Sequence, residues 1–292
     1  MRRIIRIWPL YFLIIILAFF ILPNIELFTL PGYSKEVVYS NLIWKLLLYV
    51  IFFPNLVLTL LGIVPYASHT WSIGTEEQFY LVWPVILKYV KRHRILLMVV
   101  IIISYLAVKF LLLTSFVDYI PYSYVIKSFW NSFPIDCMAI GGLYSILLFQ
   151  KSRYLKYILR NDLFYFSICL VTLFMIIGVN IPYIHYEFYS VFFGLIIINF
   201  AVNDKMKISL ENNILNYLGN ISYGLYMYHP IGIVLALSIG LSFDIQTNWF
   251  IYPLSFIFTI LIAGLSYKYF ESFFLKFKVQ FSKIQSGNTI NE

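Results

Sequence analysis

The sequence predicts an all-α fold, a polytopic transmembrane helical bundle, and three observations predict it. Of 292 residues, 61% are hydrophobic and only 12% charged. Apolar runs of about 20 residues, the length that spans a bilayer, recur along the chain. Stretches such as RILLMVVIIISYLAVKFLLL, residues 94–113, are apolar on every side, whereas a barrel strand is shorter and alternates.

Taken in order, spans are expected at about 4–22, 95–113, 134–149, 164–180, 186–202, 223–241 and 249–270. Region 42–92 holds apolar material for two helices, interrupted by Pro54, Asn55, Gly62 and Pro65. Charge settles its parity. Five clusters hold 17 of the 21 basic residues: Arg2, Arg3 and Arg6; Lys88, Lys91, Arg92 and Arg94; Lys151, Arg153, Lys156 and Arg160; Lys205 and Lys207; Lys268, Lys276, Lys278 and Lys283. If all five are cytoplasmic, region 42–92 crosses an odd number of times. In the simplest solution 42–62 enters from outside and is partly re-entrant, and 76–91 descends to the cytoplasm. Broken backbone at membrane depth is tolerated where protein or a watery cavity surrounds it. About eight crossings result, with both termini cytoplasmic.

The net charge of +8 therefore reports orientation in a bilayer, not a nucleic-acid partner. Cys137 and Cys169 lie in apolar runs and imply neither a disulfide framework nor a metal cluster. No repeat of 20–50 residues is visible, so a single domain over 1–280 is expected, followed by a polar tail, 281–292.

Four stretches carry chemistry. In RRIIRIWPLY, Arg3 and Arg6 stand three apart, on one face of a helix starting at the cytoplasmic surface. Their guanidinium forks suit the phosphates of a cytosolic nucleotide-like cofactor, although arginines ahead of a first span also serve orientation. In SHTWSIGTEEQFYLVWP, Thr75 and Gln78 have capping-box spacing, which predicts a helix starting at Thr75 with Glu76 and Glu77 in its first turn. Ser72, Glu76 and Tyr80 fall four apart, forming one polar stripe if the turn is continuous. His69 and Trp71 adjoin it. Ionisable groups at membrane depth usually face a cavity or a partner, so either glutamate can orient a histidine or take a proton. In FPIDCMAIGGLYSIL, Asp136 sits early in a span and needs a partner, while Gly141 and Gly142 suit close helix packing. In LGNISYGLYMYHPIGI, His229 follows Ser222, Tyr223, Tyr226 and Tyr228, which makes it either a proton-transfer group or a hydrogen-bonded core histidine. The 25 Tyr and 28 Phe discriminate nothing, since interfacial belts use both.

Together RRIIRIWPLY, TWSIGTEEQFYLVWP and LGNISYGLYMYHP resemble, in order and spacing, the motifs of acyltransferase family 3, the integral membrane O-acyltransferases. The resemblance covers roughly residues 2–280. It implies transfer of an acyl group, often acetyl, from cytosolic acyl-CoA to a hydroxyl of an extracytoplasmic sugar or glycan, at a bacterial cytoplasmic (inner) membrane. On it, Arg3 and Arg6 contact the CoA phosphates. Ser72, Glu76, Glu77 and Tyr80 line the transfer cavity with His69, Trp71, Asp136 and Tyr226, and His229 is a further cavity residue, counted with Ser72 and the two glutamates as catalytic. No metal is implied.

The chain departs from the family pattern in three places. It starts where the third helix of the family is expected, and none of His69, His93, His185 or His229 occupies the context of the family's upstream histidine. After Glu271, Ser272 and Phe273 replace the usual basic residue and proline. Pro134 stands where an arginine is common. Two other readings stay open on the sequence: a transporter of a glycan or lipid-linked intermediate, since broken helices and buried acids serve transport too, and a non-catalytic remnant of the fold.

Overall fold

The structure, a computed structural model, describes residues 2–206, 208–245 and 247–278. The polar tail expected at 281–292 lies outside the described residues. Packing divides the chain into two units, one running to Trp71 and resuming at Asn213, the other Ser72–Asn212. Among the described residues both units are built from helices, without a β-sheet.

The first unit opens with α1, Arg2–Ile16, which runs on through a π-helical turn, Leu17–Ile21, and a 3-10 turn, Leu22–Asn24. Leu10, Tyr11, Ile14, Ala18 and Phe19 are buried, an inner face with the three-and-four spacing of an amphipathic helix. Region 35–60 is broken into α2 (Lys35–Tyr39), α3 (Leu42–Val50) and α4 (Pro54–Leu60). Phe52 sits at φ 60° in the break, and Pro54 begins α4, where a missing N–H costs nothing. Lys45, one of the two lysines inside apolar runs, is buried and satisfied. Its Nζ donates to Val37 O at 3.0 Å, Val38 O at 3.2 Å and Ser40 Oγ at 3.2 Å, at the C-terminal end of α2 where a cation is favoured.

The second unit contains α5 (Trp71–Tyr89, from Ser72), α6 (Arg94–Leu112), α7 (Ser123–Asn131), α8 (Ile135–Phe149), the single turn α9 (Leu155–Ile158), α10 (Asn161–Ile177) and α11 (His185–Val202). Helix α8 packs on α6 and α11, and α10 packs on α11. Gly142 of α8 admits Met98 and Trp83, which a Cβ would approach to 3.1 and 3.4 Å, whereas Gly141 has nothing within 4 Å. Close packing thus accounts for one glycine of the pair.

The first unit resumes with α12 (Asn213–Asn220), α13 (Ser222–Ser242) and α14 (Asn248–Ser266). A second π-helical turn, Tyr267–Glu271, then leads into α15 (Ser272–Lys278). Helices α13 and α14 pack against each other more extensively than any other pair among the described residues. Gly232 permits it: a Cβ there would lie 3.0 Å from Ser255 O and 3.1 Å from Thr259 N, both backbone atoms.

Six helical stretches among the described residues are long and apolar enough to cross a membrane: Arg3–Asn24, Arg94–Leu112, Ser123–Phe149, His185–Val202, Ser222–Ser242 and Asn248–Phe277. Asn161–Ile177 is a shorter apolar helix. The chain is an all-helical integral membrane protein.

One local expectation is overturned. Helix α5 begins at Trp71, directly after a 3-10 turn over Ser68–Thr70, so Thr75 is no cap. The turn is closed upstream by Ser68, whose Oγ donates to Val64 O at 2.9 Å and accepts from Val64 N at 2.6 Å, and by Thr70, whose hydroxyl donates to Ala67 O at 2.7 Å. Thr75 is buried and donates across the unit to Ser132 O at 2.9 Å. Glu76 and Glu77 consequently stand in the second turn of α5, where the helix dipole acts more weakly than in the first.

Candidate active site

In the first unit, α1 presents Arg3 and Arg6 exposed, one turn apart near its start. Their backbone is fixed by Tyr223 of α13, whose hydroxyl donates to Ile7 O at 2.9 Å. Beside them the π-helical turn places Glu271 in the interior, within Coulombic reach of Arg6. Glu271 Oε1 accepts from Ser266 Oγ at 3.2 Å, and Ser266 Oγ accepts from Tyr228 OH at 3.0 Å. Such single π-helical turns reset the register of a helix and recur at functional sites.

The same unit brings together three of the residues singled out in the sequence, His69, Tyr226 and His229. The His69 ring centroid is 5.0 Å from that of His229 and 5.2 Å from that of Tyr226, both edge-to-face. The Tyr226 hydroxyl donates to the His69 carbonyl, and His229 Nδ1 lies 2.6 Å from the Tyr226 carbonyl. A carbonyl can only accept, so Nδ1 of His229 carries a proton and Nε2 is the ring nitrogen left for proton exchange. His69 Nε2 is buried with no hydrogen-bond partner among the described residues. Burial first, and the neighbouring His229 second, push the His69 imidazole down to about 3, so it is neutral at physiological pH.

In the second unit, α5 is continuous through Ser72, Glu76 and Tyr80, which share one half-buried face, with Glu77 beside them. Trp71 is the first residue of the same helix. Asp136, in the first turn of α8, is fully buried, and its carboxyl meets that of Glu187 on α11. Glu187 Oε1 accepts from Lys109 Nζ at 2.6 Å, a buried ion pair with side chains 13% and 9% exposed. The partner that Asp136 requires is thus the Glu187–Lys109 pair. No group of three or more potential metal ligands occurs among the described residues.

The family profile of acyltransferase family 3, described as an acyltransferase domain, matches residues 1–268. The chain belongs to the acyltransferase 3 family. Among curated proteins it is similar to O-acetyltransferase OatA of Staphylococcus aureus strains NCTC 8325, COL and MRSA252, at 25% identity over 216 residues in each. The match takes in 70% of this chain and 35% of each relative, so the chain spans about a third of the length of the curated relatives it matches. No solved structure matches it.

Within this acyltransferase 3 domain, sequence reasoning singled out His69, Tyr226 and His229 without seeing that they meet. It passed over Glu187, and Lys109 lies in an apolar run outside the five basic clusters that it used. The signal that finds both is the expense of an ionisable group at membrane depth: Lys109 and Glu187 each interrupt an apolar helix, and each demands a counter-charge.

Proposed function

We propose that the chain transfers an acyl group, acetyl above all, from cytosolic acyl-CoA to a hydroxyl of an extracytoplasmic glycan at a bacterial cytoplasmic membrane. Family membership and the named activity of the staphylococcal relatives support the reaction class. The observation that carries it is the pairing of His69 with His229, in the same unit as the two arginines at the start of α1.

Acyl-CoA supplies the activated acyl group. Arg3 and Arg6 fit its phosphates: two exposed, planar, permanently charged forks stand at the positive end of a helix. Glu271 steadies Arg6 by its charge, and the Tyr228–Ser266 relay fixes the Glu271 carboxyl. His229 is the base. Its Nε2 receives the proton of the acceptor hydroxyl as that oxygen bonds to the acyl carbon and the acyl–sulfur bond to CoA breaks, the proton then passing to the departing CoA thiolate, while the Nδ1–H bond to the Tyr226 carbonyl holds the ring and its tautomer. His69, held neutral, adds a second uncharged imidazole edge that does not repel a developing imidazolium. On the family resemblance, the half-buried face of α5 that carries Ser72, Glu76 and Tyr80, with Glu77 beside it, offers polar groups to a sugar.

The donor half of this reading is tested by binding. Replacing both Arg3 and Arg6 with Ala weakens acetyl-CoA affinity at least about tenfold, two charge-assisted contacts being lost, with little change in the yield of folded protein. Unchanged affinity removes these arginines from the site.

A further inference from the structure

The bundle of the second unit has two chemically different ends. Arg94 opens α6, Lys151 follows α8, Arg160 precedes α10 and Lys205 follows α11. At the opposite end, the last turn of α6, the end of α7 and the loop before α11 enclose a cavity of about 310 Å³, lined in part by Lys109, Lys127, Trp130, Asn180, His185 and Tyr186. The bias of basic residues toward the cytoplasm places this cavity at the extracytoplasmic end.

Its walls are held firmly. Trp130 stacks on Tyr105, with ring centroids 5.0 Å apart and planes at 17°, and the Tyr105 hydroxyl donates to the Trp130 carbonyl at 2.8 Å. Tyr183, in the enclosing loop, stands at φ 66°, a backbone conformation that a bulky residue adopts only where its surroundings impose it. One polar atom of a lining residue is unsatisfied: Trp130 Nε1 is buried with no acceptor among the described residues. Buried polar atoms are ordinarily satisfied, so a donor left open in the cavity wall points to a ligand that offers an acceptor.

Charge narrows the class. Lys109 is countered by Glu187 and Lys127 by Asp118, each at 2.6 Å, and the Asp136 carboxyl backs the first pair. With no surplus positive charge the cavity gains nothing from a phosphate or a carboxylate. A hydroxyl-rich, uncharged ring with apolar faces matches it. Such a ring offers acceptors to the indole N–H and the Lys109 ammonium, and a face to Tyr186.

We propose that this cavity binds an uncharged pyranose unit of the glycan, a subsite whose role as acceptor subsite rests on the acyl-transfer reading above. The test is binding to the full chain in detergent without acyl-CoA, by saturation-transfer NMR and calorimetry, with maltotriose, tri-N-acetylchitotriose and trigalacturonate as probes. At least one neutral trisaccharide binds, and more tightly than trigalacturonate. Trp130→Phe keeps the stacked ring but removes the N–H and weakens that binding about fivefold. His185→Ala, on the facing wall, weakens it too, and acetyl-CoA affinity is unchanged in both. The proposal is overturned if neither neutral probe binds, if trigalacturonate binds more tightly, or if both folded variants bind as the parent does. Loss of sugar binding in the variants, together with no acyl transfer by the parent, keeps the subsite and removes the transfer reading. Transfer without sugar binding at this cavity removes the subsite alone.

Discussion

Lys109 and Glu187 make the sharpest case of a residue-scale constraint in this chain. Each ion is nearly out of reach of solvent and held by the other at 2.6 Å, with the Asp136 carboxyl against Glu187. The two sides of the pair are therefore unequal. Glu187→Gln leaves Lys109 a second carboxylate, Asp136, within reach, so it costs on the order of 1 kcal/mol, the worth of one hydrogen bond. Lys109→Met leaves two carboxyls facing each other with no cation, and it costs about 3 kcal/mol, as breaking a buried pair does. Unfolding titrations of both variants in mixed detergent check the order, and equal costs would show that Asp136 does not serve as the reserve counter-ion. The histidine pair follows a similar logic of contacts distant in sequence. His69 and Tyr226 are 157 positions apart, so neither motif declares that it meets the other.

At the scale of elements, the helices were legible wherever an apolar run ended in a basic cluster, because burial in lipid and orientation by charge both act on the local sequence. The start of α5 was not. Thr75 and Gln78 spell a capping box, but the Thr75 hydroxyl finds Ser132, 57 residues on, and α5 starts earlier, after a 3-10 turn whose Ser68 and Thr70 hydroxyls bond upstream to Val64 and Ala67. Spacing rules see only neighbours in sequence, and here a tertiary contact won. Glycines show the same limit. The sequence marked Gly141 and Gly142 for packing; Gly142 does pack closely and Gly141 does not, while Gly232, facing the α14 backbone, is among the unmarked glycines that have no room for a side chain. Gly232→Val forces α13 from α14 and destabilises the protein by about 1–3 kcal/mol, the range for overpacking. Gly141→Ala, with nothing within 4 Å, is neutral or gains up to about 1 kcal/mol from helix propensity. Thermal unfolding of the two variants separates these outcomes; a tolerated Gly232→Val would refute the tight α13–α14 contact.

For the whole molecule, composition and hydropathy declared an all-helical membrane protein, and three ordered motifs declared the family. What they left open was which histidine serves, since none occupies the upstream context typical of the family. The residue we propose is His229, whose Nδ1 is tied to a carbonyl and whose ring meets that of a second, neutral histidine. The central claim is that His229 takes the proton of the acceptor hydroxyl. The measurement that tests it most directly is transfer of label from radiolabelled acetyl-CoA to glycan by membranes carrying the parent chain or His229→Ala, with acetyl-CoA binding measured alongside. The account predicts transfer by the parent, and a loss of about 10²- to 10⁴-fold in the variant at unchanged acetyl-CoA affinity. Transfer by folded His229→Ala at the parent's rate would contradict it.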